Sequence, residues 1–233
     1  MTDVAEAAKR VAGEHAAAWV ESGMVVGLGT GSTAVWAVRE VGRRLAAGEL
    51  HEIFAVPTSD RTAADARELG IPLLADDEPW AIDLTIDGAD EVDGQLNLIK
   101  GYGGAFVRER IVAAASRQQV ILVTSDKLVE TLGARGRLPV EVMPFALPLC
   151  RRRLEDLGLK PALRTHEERP FVTDNFNVII DCAVGPIEDP AALQRVILAI
   201  PGVIDTGLFL ATADTVLVSD GETVRELVRR RSP

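Results

Sequence analysis

At 233 residues, with 47% hydrophobic and 26% charged side chains, the chain has room for one large α/β domain, or for a domain of about 150 residues carrying a smaller one, and its composition excludes a largely disordered protein. Its net charge is −10 and no basic run exceeds Arg151-Arg152-Arg153 or Arg229-Arg230-Arg231, which argues against a nucleic-acid partner. Two cysteines in apolar surroundings, Cys150 and Cys182, fit reduced core thiols in a cytoplasmic protein, and no stretch approaches the roughly 18 apolar residues of a membrane span.

The first 20 residues are interrupted by charge every few positions and predict a helix, not a signal peptide. A strand over residues 24–28, a helix near 32–46, a strand over 52–56 and a helix near 60–69 then set a βαβ rhythm. It continues through strands at 81–86 and 95–99, a helix near 104–117 and a strand at 119–125, and this alternation predicts a parallel sheet. After Gly133 the chain turns proline-rich, and a helix near 147–157, a strand at 176–184, a helix near 189–199 and a strand at 202–210 predict a small α+β unit. The closing segments TVLVSD and ETVRELVRR predict a strand and a helix that return to the first unit.

Several strand ends carry chemistry. The segment GLGTGSTA, residues 27–34, follows a strand and opens a helix, where backbone N–H groups and the hydroxyls of Ser32 and Thr33 suit a phosphate. It lacks the third glycine of a dinucleotide fingerprint, and a tight turn with a hydroxyl N-cap is the competing reading. TSDRT, residues 58–62, reads as helix punctuation with Thr58 or Ser59 as the N-cap. DGAD places Asp87 and Asp90 around Gly88 at the carboxyl end of a central strand, where open α/β sheets bind ligands. Such a pair serves proton handling or sugar hydroxyls; a metal lacks a nearby histidine, and a solvated turn is the remaining alternative.

KGYGGAFVRER begins with Lys100, passes through Gly101, Gly103 and Gly104, and enters an apolar helix in which only Arg108, Glu109 and Arg110 are charged. Lysine beside backbone donors suits an oxyanion. Burial of Glu109 among Ala105, Phe106, Val112 and Ala113 would raise its pKa toward a useful general base, whereas simple pairing with an arginine is the alternative. Lys127 follows a buried strand, and either an anionic ligand or solvent accounts for it; His15, His51 and His166 have no spaced partner.

In order and spacing, GLGTGST, TSDRT, DGADEVD, KGYGGAFVRER, SDKLV and LPVEVMPFA resemble the type A ribose-5-phosphate isomerases over nearly the whole chain. The resemblance implies interconversion of ribose 5-phosphate and ribulose 5-phosphate without cofactor or metal, by a homodimer or homotetramer. It also implies a Rossmann-like parallel-sheet domain, residues 1–132 with 207–233, and a smaller α+β domain, residues 133–206, inserted before the last strand and helix. Glu109 matches the family's base, and Asp87, Asp90 and Lys100 its sugar-handling and charge-stabilising groups. The implied substrate-binding set adds Lys9, Thr30, Gly31, Ser32, Thr33, Gly88, Ala89, Gly101, Tyr102, Gly103 and Lys127. The chain departs from the family at Tyr102 and Phe176, where small residues or glycine are usual. The rival functions are an amino-sugar-phosphate deaminase and a non-catalytic sugar-phosphate sensor.

Overall fold

The computed structural model describes residues 3–75 and 81–229. Helix α1 (Asp3–Ala17) buries Ala8, Ala12 and Ala16, spaced four apart on one face. It precedes β1 (Val25–Leu28), α2 (Ala34–Ala46), β2 (Phe54–Pro57) and α3 (Asp60–Glu68), the last capped by Ser59, whose hydroxyl accepts from the Thr62 N–H at 3.0 Å. Next come β3 (Ile82–Gly88), β4 (Glu91–Val92), β5 (Leu98–Ile99), α4 (Phe106–Ala114) and β6 (Ser116–Thr124). The rest comprises β7 (Arg137–Val142), α5 (Leu147–Asp156), β8 (Lys160–Leu163), β9 (Thr165–His166), β10 (Arg169–Pro170), β11 (Val178–Ala183), α6 (Pro190–Leu198), β12 (Val203–Thr206), β13 (Leu208–Phe209), β14 (Thr215–Ser219) and β15 (Val224–Val228).

The main sheet has the order β15-β14-β6-β3-β1-β2, parallel throughout except for β15. Alternation along β6 covers both faces: Val120 and Leu122 join α1, α2 and β1 in one core, while Ile121 and Val123 join Phe106, Phe209 and Val216 in another. A third core fills the space between an antiparallel sheet, β12-β7-β11-β8, and helices α5 and α6, and it takes in both free, buried cysteines. Among the described residues no helix is long and apolar enough to cross a membrane.

Three expectations are corrected, the first being the strand expected at 202–210, which is divided into β12 in the antiparallel sheet and β13 beside β5. The segment read as a closing helix is strand β15, pairing with β14 along five rungs. Asp220 accepts from the N–H groups of Glu222 and Thr223, and Gly221 takes φ +106°, so the Asp-Gly corner folds a hairpin before a helix can start. Val224 and Leu227, of opposite parity, then pack into different cores. Arg230 and Arg231 lie outside the described residues. The strand expected at 95–99 shrinks to β5 and leaves the parallel sheet, pairing antiparallel with β4 and β13. Its register is set by Asp93, whose carboxylate accepts from the N–H groups of Gln95 and Asn97 in a turn where Leu96 adopts φ +59°.

Phe176 also holds a left-handed backbone, φ +61°, and the residue is 83% exposed. That conformation costs a non-glycine residue about 1–2 kcal/mol, against about 0.5–1 kcal/mol of added chain entropy for glycine. Phe176→Gly is therefore expected to stabilise the fold by about 0.5–1 kcal/mol, seen as a higher urea midpoint at unchanged slope.

Candidate active site

The carboxyl ends of β1, β3 and β6 meet at one rim of the parallel sheet, beside the loop that follows β5. Their approach is close: a Cβ on Gly29, just beyond β1, would collide with the side chain of Asp87 at the end of β3. Glycine there lets the Thr30 N–H reach Asp87 Oδ1 at 3.2 Å, and the same oxygen accepts from the Gly88 N–H at 2.7 Å.

Beneath this rim Lys100, 2% exposed, sets its ammonium 2.9 Å from Asp87 Oδ2 and 3.1 Å from Glu109 Oε2, and it also donates to the Gly88 carbonyl. Burial opposes the charge on Lys100, but the two carboxylates outweigh it and hold the ammonium above the ordinary lysine range. Glu109 sits in the first turn of α4, and its pKa is pushed up to about 8, chiefly by burial and then by the negative charge of Asp87, against the pull of Lys100. Burial likewise raises the Asp90 carboxyl above its usual range, opposed by the Tyr102 N–H, which donates to Asp90 Oδ2 at 2.9 Å, and by Lys100.

Glu109 does not pair with the arginines on either side of it. Arg108 donates to Asp60, Asn175 and the Asp174 carbonyl, while Arg110 binds Asp205 and the carbonyls of Thr206 and Leu208. The helix carrying Glu109 is thereby tied on one side to the loop before β11 and on the other to β12 and β13, leaving the carboxylate to Lys100.

A cavity of about 430 Å³ opens over this group, within the range of roughly 300–1,000 Å³ common for small-molecule sites. Lys9, Thr30, Gly31, Ser32, Thr33, Gly88, Ala89, Asp90, Lys100, Gly101, Gly103, Glu109 and Lys127 all line it. Ala5, Thr124 and Asp126 complete the wall. The end of β6 was the available signal for the last two, since it lies level with the ends of β1 and β3. A larger cavity, about 640 Å³ and bordered by Val56, Arg67, Arg108 and Ile111, contains none of the residues expected to act in catalysis or to bind the substrate.

Two of the residues expected to touch a ligand do not line the cavity. Asp87 is fully buried under Lys100, so it reaches the cavity only indirectly, through that ammonium and the N–H groups of Thr30 and Gly88. Tyr102 turns its ring away to lie 3.9 Å under the Arg137 guanidinium, with its hydroxyl donating to the Arg137 carbonyl at 3.2 Å; only its backbone faces the site, through Asp90. TSDRT proves more than punctuation: the hydroxyls of Thr58, Ser59 and Thr62 gather within 2.7–3.0 Å of the Thr30 hydroxyl and brace the GTGST loop from behind. The Thr33 hydroxyl makes no cap hydrogen bond to α2, so the hydroxyl-cap alternative for that loop is not what is found. No group of three or more His, Cys, Asp and Glu side chains among the described residues is arranged to hold a metal ion.

Residues 54–223 match the family model described as ribose 5-phosphate isomerase A (phosphoriboisomerase A). The chain is 51% identical to the ribose-5-phosphate isomerase A of Roseiflexus castenholzii, covering 94% of each chain, and 52% identical to that of Thermomicrobium roseum, covering 97% of this chain and 96% of the relative. Among solved structures, a D-ribose-5-phosphate isomerase in complex with phospho-erythronic acid aligns at a TM-score of 0.93 and 39% identity, over 98% of this chain and all of the other. The ribose 5-phosphate isomerase of Plasmodium falciparum aligns at the same TM-score, with 36% identity over 97% of this chain and all of its own. The chain belongs to the ribose 5-phosphate isomerase A family.

Proposed function

We propose that this enzyme interconverts ribose 5-phosphate and ribulose 5-phosphate with Glu109 as the base that moves a proton between C2 and C1. The observation that carries the assignment is the Glu109 carboxylate in the cavity wall, 3.1 Å from a buried ammonium and held by a helix whose other charges are engaged elsewhere. Removing the C2 proton leaves an enediolate; one carboxylate serves both carbons when it stays on one face of that intermediate. Lys100, fixed by Asp87 from below, shares the negative charge on the enediolate oxygen, together with glycine-loop N–H groups. Asp90, exposed to the cavity, orients hydroxyls and transfers the O1/O2 proton. Lys9 and Lys127, with the backbone around Ser32 and Thr33, answer the substrate phosphate in a protein of net charge −10. The same reading makes the protein a cytoplasmic homodimer or homotetramer of the pentose phosphate pathway, working without cofactor. It also treats residues 133–206 as a smaller unit set on a catalytic unit made of 1–132 and 207–233.

Glu109→Gln is expected to lower kcat by about 10²–10⁴ while ribose 5-phosphate still binds, measured by a coupled assay and by calorimetric titration; near-normal turnover would refute the base assignment. Glu109 acts as a base only when deprotonated, so kcat/KM should climb about tenfold per pH unit below about 8 and level off above it, with Lys100 still protonated there. A profile flat from pH 6 upward would contradict this environment for Glu109. Turnover should survive exhaustive treatment with EDTA, and recovery of lost activity on adding a divalent cation would overturn the cofactor-free assignment.

A further inference from the structure

The glycine loop between β5 and α4 follows directly on Lys100 and lends Gly101 and Gly103 to the cavity wall, and its conformation is held by a group that does not touch the cavity. Arg164, just past β8 in the antiparallel sheet, is 10% exposed and forms a two-point pair with Asp181 of β11, Nε at 2.8 Å and an Nη at 2.5 Å. Its remaining Nη donates to two consecutive loop carbonyls, Gly101 at 2.9 Å and Tyr102 at 3.2 Å. The peptide linking Gly101 to Tyr102 is thus gripped at both ends, its carbonyl by Arg164 and its N–H by Asp90. The next peptide gives its carbonyl to Arg164, and because a trans peptide points its C=O and N–H in opposite directions, the Gly103 N–H is turned the other way. Gly103 is one of the residues lining the cavity.

Neighbouring contacts fasten the same loop. The Gly104 N–H closes a turn onto the Gly101 carbonyl at 3.1 Å, and the Phe171 ring occupies the space a Cβ on Gly104 would need. Arg137 stacks on Tyr102 and reaches Asp181 at 3.7 Å, so one carboxylate anchors both guanidinium groups that touch this loop. Glycines with φ +107° and +88° at positions 101 and 104 do not hold such a path by themselves, since glycine samples many others.

We propose that Arg164, anchored by Asp181, is a positioning residue for the isomerisation: its fork on the Gly101 and Tyr102 carbonyls aims the loop N–H groups at the enediolate oxygen and at Asp90. This rests on the isomerase reading above. The loop donors act on charge that develops during reaction, so losing their alignment should weaken the transition state more than the bound sugar.

The test compares the full-length wild type with Arg164→Met and Arg164→Lys, using ribose 5-phosphate as substrate and phospho-erythronic acid, which a related isomerase binds, as the inhibitor probe, its carboxylate carrying the negative charge that the enediolate develops. Arg164→Met should lower kcat by about 10- to 100-fold, leave KM within about threefold, and weaken the inhibitor in step with kcat. Arg164→Lys should recover only part of each loss, because an ammonium cannot span two carbonyls and a carboxylate as the planar fork does. If Arg164→Met lacks the wild-type circular dichroism spectrum, Arg164→Lys is judged by the same criteria. A folded variant with a lower melting temperature but wild-type kcat and inhibitor affinity would overturn the inference, and so would equal weakening of substrate and inhibitor. Absence of ribose 5-phosphate turnover in the wild type would instead defeat the isomerase reading itself.

Discussion

One ammonium shared by two buried carboxylates organises the active site. Lys100 is nearly inaccessible, and an unpaired charge in that position would cost several kcal/mol, so the fold must deliver Asp87 and Glu109 to within about 3 Å of it. The three groups come from the end of β3, the end of β5 and the first turn of α4. Burial first, and then the negative charge of Asp87, keeps Glu109 proton-hungry, while the two carboxylates together keep Lys100 charged. Base and electrophile are therefore tuned by the same contact, with Asp87 as the silent third member.

The surrounding architecture can be understood as support for that contact. Gly29 allows β1 and β3 to crowd together, the knot of hydroxyls behind Thr30 stiffens the phosphate-side loop, and Arg164 steadies the glycine loop from the antiparallel sheet. None of these supports bears on the reacting atoms. Each restricts a backbone segment that glycine content would otherwise leave loose.

Much of this was legible in the sequence because parallel sheets place their chemistry at strand ends. Apolar runs followed by DGAD, by Lys100 and by Lys127 marked the rim, and the nearly all-apolar helix around Glu109 announced a buried carboxylate. What escaped detection depended on direction and partner choice. Asp87 and Asp90 look equivalent three residues apart, yet one ends under Lys100 and the other in the cavity wall. The course of the Tyr102 ring is decided by Arg137, 35 residues away, which no local pattern encodes. The closing strand was misread because Val224 and Leu227 are spaced like helix positions, and the Asp-Gly corner carried the decisive information. The N-cap at Ser59, whose partner Thr62 is local, and the buried free thiols, marked by their apolar flanks, match the expectation.

The arginines on either side of Glu109 hold separate parts of the molecule, one the start of α3 with the loop before β11 and the other β12 with β13. The base consequently rides on a crossbeam bolted at both ends and to both layers, so its aim depends on how the two layers sit against each other. Transplanting that layer from a relative would preserve the aim of the base only if the donor's sockets for both guanidinium groups came too, which makes the joint between layers, and not the rim alone, the inherited unit of this active site.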